Sequence, residues 1–384
     1  MRVAFDGTTL RPGRTGVGYY TEHLLHHIAA QSPQDEITVI SNRPVETTRP
    51  LPAHVRVITS GWRLPRIVWM QTQAPRLLKE LQPDVVHFTN GIVPLASPVP
   101  VVVTIHDMSL TLYPGYHPAR RVLLNRPLVN LATRRADGII TVSESAKRDI
   151  VRSYGLLPER VHVVHEAAAP SFRPIHDLVE LTRVRRRYGL SDRFILYVGT
   201  IEPRKNLPKL IEAFAQRRCR GELPHHQLVC AGPYGWLSRD IDALVDRLGV
   251  SENVLFTGYV PFEDLAALYN LAEMFVFPSI YEGFGLPVIE AMACGTPVIT
   301  GRVAALDEVA GGAVEHVEAL EPDAIGEALV RVARDRERRH DLARAGLQRA
   351  MAFSWARAAR ETCEVYRLAA KLEPSERRLE AMTS

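Results

Sequence analysis

Two glutamates with seven residues between them, Glu282 and Glu290, flank a glycine-bearing turn, Gly283-Phe-Gly285, in the stretch from Ser279 to Gly295. The run before it, Met274-Phe-Val-Phe-Pro278, reads as a buried strand, and a short apolar helix follows, with Pro287 near its first turn and Gly295 as its stop. A strand, a glycine turn and a helix N-terminus direct backbone N–H groups outward, which suits an anion. Carboxylates do the opposite chemistry: they accept hydrogen bonds from hydroxyls. A ligand both phosphorylated and polyhydroxylated would use everything offered here, which points to a nucleotide sugar. Arg204 and Lys205 come just after the apolar run Phe194 to Val198 and Gly199, at the carboxyl end of a strand. A planar fork beside a compact point charge suits a diphosphate, whereas the bland alternative is two solvated loop cations. His106-Asp107 ends another apolar run, Val101 to Ile105, and among fourteen histidines it is singled out only by that strand-end position. Asp240-Ile-Asp242 has a carboxylate spacing known from metal-dependent transferases, but it lies in a helical pattern and reads as a solvated face, so no metal is expected.

The elements that must position these residues alternate regularly. In the first half, candidate strands at 2–5, 37–40, 55–58, 85–88, 101–105, 138–142 and 161–164 are separated by helical patterns near 18–30, 69–81, 117–135 and 144–154. In the second half, strands at 194–198, 227–231, 254–256, 274–277 and 297–300 alternate with helices near 206–217, 236–248, 262–271 and 286–294, and the chain is helical and arginine-rich from 322. This rhythm implies parallel sheets covered on both faces, with ligands beyond the carboxyl ends of the strands. Between the halves, residues 166–176 carry two prolines and small residues and read as a linker. The expected α/β architecture is two Rossmann-like domains facing each other across a cleft, residues 1–170 and 171–355, with 356–384 as a helix returning toward the first domain.

At 384 residues the chain exceeds what one core usually supports, and 46% hydrophobic with 23% charged residues is ordinary for a soluble enzyme. The first five residues already read as a strand rather than a leader, and no apolar run reaches the ~20 residues of a membrane span. Four cysteines in no paired or metal-binding spacing fit a reducing cytoplasm. Residues 1–175 hold 20 Lys and Arg against 13 Asp and Glu, and the remainder 27 against 30. The basic half either turns a face toward something anionic, such as a phospholipid surface or a diphosphate carrier, or is an uneven arginine composition. Residues 117–136 combine five arginines with leucines and valines, as a basic amphipathic helix at an anionic interface would, interrupted by Pro127; Trp62 and Arg66 would extend that face. Peripheral attachment to the inner face of the cytoplasmic membrane is therefore a candidate location, and nucleic acid is not an expected partner.

Gly199-Thr-Ile-Glu-Pro-Arg-Lys-Asn206, Ala231-Gly-Pro233, Gly258-Tyr-Val-Pro261, Glu282-Gly-Phe-Gly-Leu-Pro-Val-Ile-Glu290, Ala293-Cys-Gly-Thr-Pro-Val298 and Phe353-Ser-Trp355 together resemble the retaining glycosyltransferases of family four, which have the GT-B fold. The resemblance covers nearly the whole chain, and the first of these motifs looks like the branch rich in bacterial mannosyltransferases of surface-polysaccharide assembly. One departure is His165-Glu-Ala-Ala168 where the family often has Asn-Gly. The resemblance implies Glu282 beside the donor sugar's hydroxyls, the backbone N–H groups of Gly283, Phe284 and Gly285 at sugar and phosphate oxygens, with Leu286 alongside, and Glu290 at the ribose. It implies Gly199, Arg204 and Lys205 at the diphosphate, and His106 at the donor sugar near the reacting centre, not as a general base. The loop Gly13-Arg-Thr-Gly-Val-Gly18 is an incomplete dinucleotide fingerprint, and no acid ends the second strand; the resemblance lays its Gly16 and Gly18 over the donor phosphates, beside the acceptor. Tyr259 and Val260 would border the base. The implied activity is metal-independent, retaining transfer of a hexose, mannose from GDP-mannose, onto a saccharide or a polyprenyl-diphosphate-linked saccharide, with no cofactor. A nucleotide-sugar 2-epimerase on the same fold and a non-catalytic sugar-binding protein are the alternatives.

Overall fold

The computed structural model describes residues 1–14, 16–60, 64–238 and 240–371, so Thr15, Trp62 and the end of the expected returning helix lie outside the described residues. The chain divides into two compact units: Met1–Thr111 with Arg120–Glu166 and residues 354–371, and Leu112–Ala119 with Ala167–Phe353.

The first unit is a seven-stranded parallel sheet of β1 (Arg2–Asp6), β2 (Glu36–Ser41), β3 (Val55–Thr59), β4 (Val85–Phe88), β5 (Val101–Ile105), β6 (Gly138–Thr141) and β7 (Val161–Val163). Its order is β3-β2-β1-β4-β5-β6-β7, so the winding direction reverses between β1 and β4. Residues of β4, β5 and β6 are buried throughout, which is why these strands read as unbroken apolar runs. The helices are α1 (Gly16–Gln31), α2 (Arg66–Leu81), α3 (Ser109–Leu112), α4 (Ala119–Arg135) and α5 (Glu144–Tyr154). α5 starts where Ser143 Oγ accepts a hydrogen bond from the Ala146 N–H at 3.0 Å, and ends at Gly155 in the left-handed region. α4 passes through Pro127 without breaking and begins at Ala119 rather than His117, because Pro114–Tyr116 form a separate 3-10 turn. The last described helix, Trp355–Lys371, packs on α1, β5 and β6 and buries Trp355 and Tyr366.

The second unit is a six-stranded parallel sheet of β8 (Phe194–Val198), β9 (Gln227–Ala231), β10 (Val254–Gly258), β11 (Met274–Phe277), β12 (Val298–Gly301) and β13 (Glu315–Val317). The order β10-β9-β8-β11-β12-β13 repeats the winding of the first sheet, with its reversal between β8 and β11. Around it lie α6 (Leu178–Tyr188), α7 (Leu207–Cys219), α8 (Ile241–Arg247), α9 (Phe262–Leu271), α10 (Leu286–Ala293), α11 (Ala304–Ala310), α12 (Pro322–Arg334) and α13 (Arg336–Ala350). α8 is shorter than the helix expected over 236–248, because Leu237 takes a left-handed φ of 57° and Trp236 is held in a loop, its Nε1 donating to the Tyr116 carbonyl at 2.8 Å. At the amino ends of β8 and β11, Glu273 accepts two hydrogen bonds from Arg193, at 2.8 and 2.9 Å, with His226 at 3.3 Å and Arg339 at 3.5 Å. The opposite, carboxyl ends of the same two strands carry the candidate site.

Candidate active site

β8 and β11 are neighbours at the winding reversal of the second sheet, the position beyond whose strand carboxyl ends open α/β sheets bind their ligands. The β8 loop runs through Gly199 to a short 3-10 turn, Pro203–Lys205, and the β11 loop runs through Ser279 to Gly285. A backbone hydrogen bond joins them, the Ile280 N–H donating to the Arg204 carbonyl at 2.9 Å. This zipper brings together three of the residues singled out by their chemistry. Lys205 Nζ lies 2.6 Å from Glu282 Oε1, and Arg204 Nη1 lies 3.1 Å from Glu282 Oε2. Arg204 also donates to the Tyr281 carbonyl and, through Nη2, to Glu202 Oε1 at 2.8 Å, while Lys205 sits 4.8 Å over the ring of Phe277.

All four charged side chains are nearly buried, between 4% and 12% exposed. Burial is the largest influence on Glu282 and works against its charge, but Lys205 and Arg204 outweigh it and hold the carboxylate below its usual range. Lys205 is drawn below its ordinary value, by burial first and by the repulsion of Arg204, with Glu282 opposing. The result is a compact cluster of two basic side chains and two carboxylates, held in place before any ligand arrives.

The turn between the two glutamates is built by one conformational requirement. Gly285 has a φ of 103°, and a Cβ there would stand 2.4 Å from Leu306 Cδ2, so only glycine allows the chain to enter α10 at this angle. Phe284 turns its ring inward onto Phe353, centroids 5.7 Å apart. Gly283 and Gly285 are buried and Leu286 is half-buried at the start of α10. Further along the helix Glu290, half-buried, accepts a hydrogen bond from Tyr269 Oη at 3.0 Å. On the other flank, Gly199 and Gly232 pack backbone to backbone: a Cβ on Gly232 would meet the Gly199 carbonyl oxygen at 2.1 Å. Tyr259 is exposed and Val260 buried, both after β10. Asp242, the second acid of Asp240-Ile-Asp242, accepts from Tyr234 Oη at 2.7 Å, and among the described residues no group of three His, Cys, Asp or Glu could hold a metal ion.

In the first unit, Gly16 opens α1 and Gly18 lies buried in its first turn against Arg14 and the Thr9 carbonyl, so these glycines form a helix start rather than an open loop. His106 ends β5. Its Nε2 is 2.9 Å from the Thr89 carbonyl oxygen and its Nδ1 3.2 Å from Glu166 Oε1. Four partners of the candidate residues went unseen in the sequence: Glu202, Tyr269, Thr89 and Glu166. Glu202 could have been found, since it stands two residues before Arg204 in a quoted motif. Glu166 stands in the quoted departure His165-Glu-Ala-Ala168, whereas Tyr269 and Thr89 carry no local signal.

Comparison with known proteins places this geometry. Residues 182–349 match the family model described as glycosyl transferases group 1, and residues 14–171 the one described as Glycosyltransferase Family 4. The O-antigen chain mannosyltransferase B of Escherichia coli is 30% identical over 388 residues, covering 96% of this chain and 100% of that protein. Among solved structures, WaaG, a glycosyltransferase involved in lipopolysaccharide biosynthesis, matches with a TM-score of 0.75 at 18% identity, over 95% of this chain and 99% of that one. HepE of Anabaena, in complex with UDP-glucose, matches with a TM-score of 0.74 at 20% identity, over 95% and 98%. At those identities the two structures establish the fold, GT-B with two parallel-sheet Rossmann-like domains. The full-length Escherichia coli relative and the two family models, one on each half of the chain, establish the rest: the chain belongs to the glycosyltransferases of family four.

Proposed function

We propose that this glycosyltransferase moves a mannosyl residue from GDP-mannose, with retention of configuration and without a metal ion, onto a saccharide or lipid-linked saccharide in polysaccharide assembly. The observation that carries the reading is the placement of Glu282 against both Arg204 and Lys205 at the winding reversal of the second sheet. Two fixed cations suit a departing diphosphate, and the adjacent carboxylate can accept from sugar hydroxyls. Mannose as the sugar follows the name of the Escherichia coli relative; the UDP-glucose bound by HepE makes a uridine donor the natural competitor in any test.

In the reaction as proposed, the bond between the sugar's anomeric carbon and the β-phosphate oxygen breaks as the acceptor oxygen bonds to that carbon on the same face. The acceptor's hydroxyl proton passes to the departing phosphate. Arg204 and Lys205 stabilise the charge that grows on the diphosphate, and Glu290, held by Tyr269, accepts from the ribose hydroxyls. The backbone from Gly283 to Leu286 lies at the positive end of α10, near the phosphate and sugar oxygens. Gly199, Tyr259 and Val260 are assigned to the nucleotide end, and the family resemblance assigns Gly16 and Gly18 to the donor phosphates beside the acceptor and His106 to the donor sugar. No general base is required.

For the lipid-linked acceptor, α4 offers support. Leu123 is 75% and Leu124 51% exposed, and Arg120, Arg121, Arg126, Arg134 and Arg135 are exposed on the same helix. Apolar side chains among arginines suit an anionic lipid interface, and no helix among the described residues is long and apolar enough to cross a membrane.

The test pairs binding with turnover. A thermal-shift panel of GDP, UDP and ADP identifies the base, and incubation with GDP-mannose and a mannosylated acceptor then reports transfer. Stabilisation by GDP above the others and an α-linked product are expected. Preference for UDP would overturn the donor assignment, and epimerised sugar nucleotide without transfer would overturn the reaction.

A further inference from the structure

His106 is held by its neighbours at both ring nitrogens. It closes β5 and is gripped from two other segments, by the Thr89 carbonyl just beyond β4 at 2.9 Å and by Glu166 just beyond β7 at 3.2 Å. Tyr20 of α1 sets its ring edge-on to the imidazole, centroids 4.6 Å apart, while its hydroxyl is turned to Thr104, sharing a hydrogen bond of 3.0 Å. Asp107 is the following residue. His87 of β4 is fully buried between Tyr366 Oη at 2.7 Å and Thr104 Oγ1 at 2.8 Å, and burial first, then the charge of His106, pushes it down to about 3.

A carbonyl oxygen and a carboxylate oxygen only accept. A ring that satisfies both must donate from both nitrogens, which makes it an imidazolium with no nitrogen left to take a proton. Burial opposes that charge, but the Glu166 hydrogen bond and charge, the Thr89 carbonyl and Asp107 outweigh it and raise His106 above its ordinary value. Of the two partners the imidazole is the more accessible, 17% exposed against 5% for the Glu166 side chain, so the pair has a buried negative end and a partly open positive one. Glu166 stands where the family often has Asn-Gly.

We propose that Glu166 is a positioning residue that holds His106 as an imidazolium, so that the end of β5 presents a fixed positive charge to the donor rather than a proton acceptor. The protonation half of this inference is independent of the reaction; the half about the donor rests on the transfer reading above.

Side-chain 1H–15N NMR on the full chain, without substrate, tests the first half, with the His106 signal assigned by its loss in His106→Asn. In the wild type the ring remains doubly protonated at pH 7. In Glu166→Gln, which keeps the shape and removes the charge, its titration moves down by about one pH unit or more, and Glu166→Asp restores part of the difference. A neutral His106 in the wild type at pH 7, or a titration that Glu166→Gln leaves in place, overturns the proposal. The pH profile of kcat/KM for transfer tests the second half. Its basic limb moves down with the NMR titration in Glu166→Gln, while activity at low pH, where His106 is protonated in both proteins, stays within about threefold. A loss equal at every pH overturns the electrostatic role. Absence of transfer in the wild type refutes the donor reading and leaves the NMR result to decide the protonation. Circular dichroism confirms that the variants fold, and if the Gln variant does not, the Asp variant carries both measurements.

Discussion

Replacing Glu282 by glutamine separates what that carboxylate does for the fold from what it does for the ligand. The amide keeps the shape and one acceptor oxygen and removes a charge that sits 2.6 Å from Lys205 and 3.1 Å from Arg204. Arg204 keeps Glu202 at 2.8 Å and stays compensated, whereas Lys205, 12% exposed, is left mainly with the face of Phe277. Removing one partner of a buried pair costs about 3–5 kcal/mol; with Arg204 still paired and an amide oxygen still in reach, about 3 kcal/mol is expected. For a unit of about 200 residues this is a fall in Tm of roughly 6–12 °C at pH 7, read by scanning calorimetry. The sign with pH is fixed. Glu282 is held below its usual range, so its contribution is present above the ordinary carboxylate range and disappears as pH falls through its lowered value, and the two proteins converge only below that value. A nucleoside diphosphate supplies the negative charge the substitution removes, so saturating GDP raises the Tm of Glu282→Gln by more than that of the wild type, while transfer falls more than tenfold. A variant as stable as the wild type at pH 7, or one whose GDP affinity falls in step with its stability, refutes the reasoning.

Lys205→Ala is expected to lower kcat by about 10²-fold or more with a smaller effect on KM, because its charge is needed most as the diphosphate leaves; unchanged kinetics would remove it from the site. Tyr269→Phe removes the hydroxyl that orients Glu290 at 3.0 Å, and GDP affinity measured by calorimetry is expected to drop about fivefold, the size of one hydrogen bond. Far from the site, burial opposes the charge of Glu273 but Arg193 and His226 hold it down to about 2. Its contribution, about 1–2 kcal/mol after allowing for solvent screening, is therefore present above the ordinary carboxylate range and lost between about pH 4.5 and 2. Glu273→Gln should cost that much at neutral pH and most of that difference should be gone by about pH 2, by denaturant titration across pH.

The parallel sheets were legible because strands buried on both faces write themselves as continuous apolar runs, as in Val101–Ile105 and Met274–Phe277. β13 was not, since its three residues, Glu315-His-Val317, lie at a sheet edge and two are polar and only half-buried. Nor was α6, whose arginines serve Asp264, a carboxylate fully buried on α9 and more than 75 residues away, at 2.7 Å each. The same division runs through the site. Arg204, Lys205 and Glu282 announce themselves by motif, but their contact depends on β8 and β11 being neighbours, a property of strand order that no local stretch encodes. Glu166 meets His106 across 60 residues for the same reason.

The last described helix gives the first unit an unusual biogenesis. Its Tyr366 completes the hydrogen bonding of His87 inside β4, and its Val365 packs where Gly138 leaves space in β6. A ribosome must therefore make residues 167–353 before the sheet begun at Arg2 can be finished, a delay of about 10–40 s at ~5–20 residues per second. The second unit has all its own residues in hand earlier, so the half made first is completed last. Until then the strand that carries His87 lacks the helix that completes its burial.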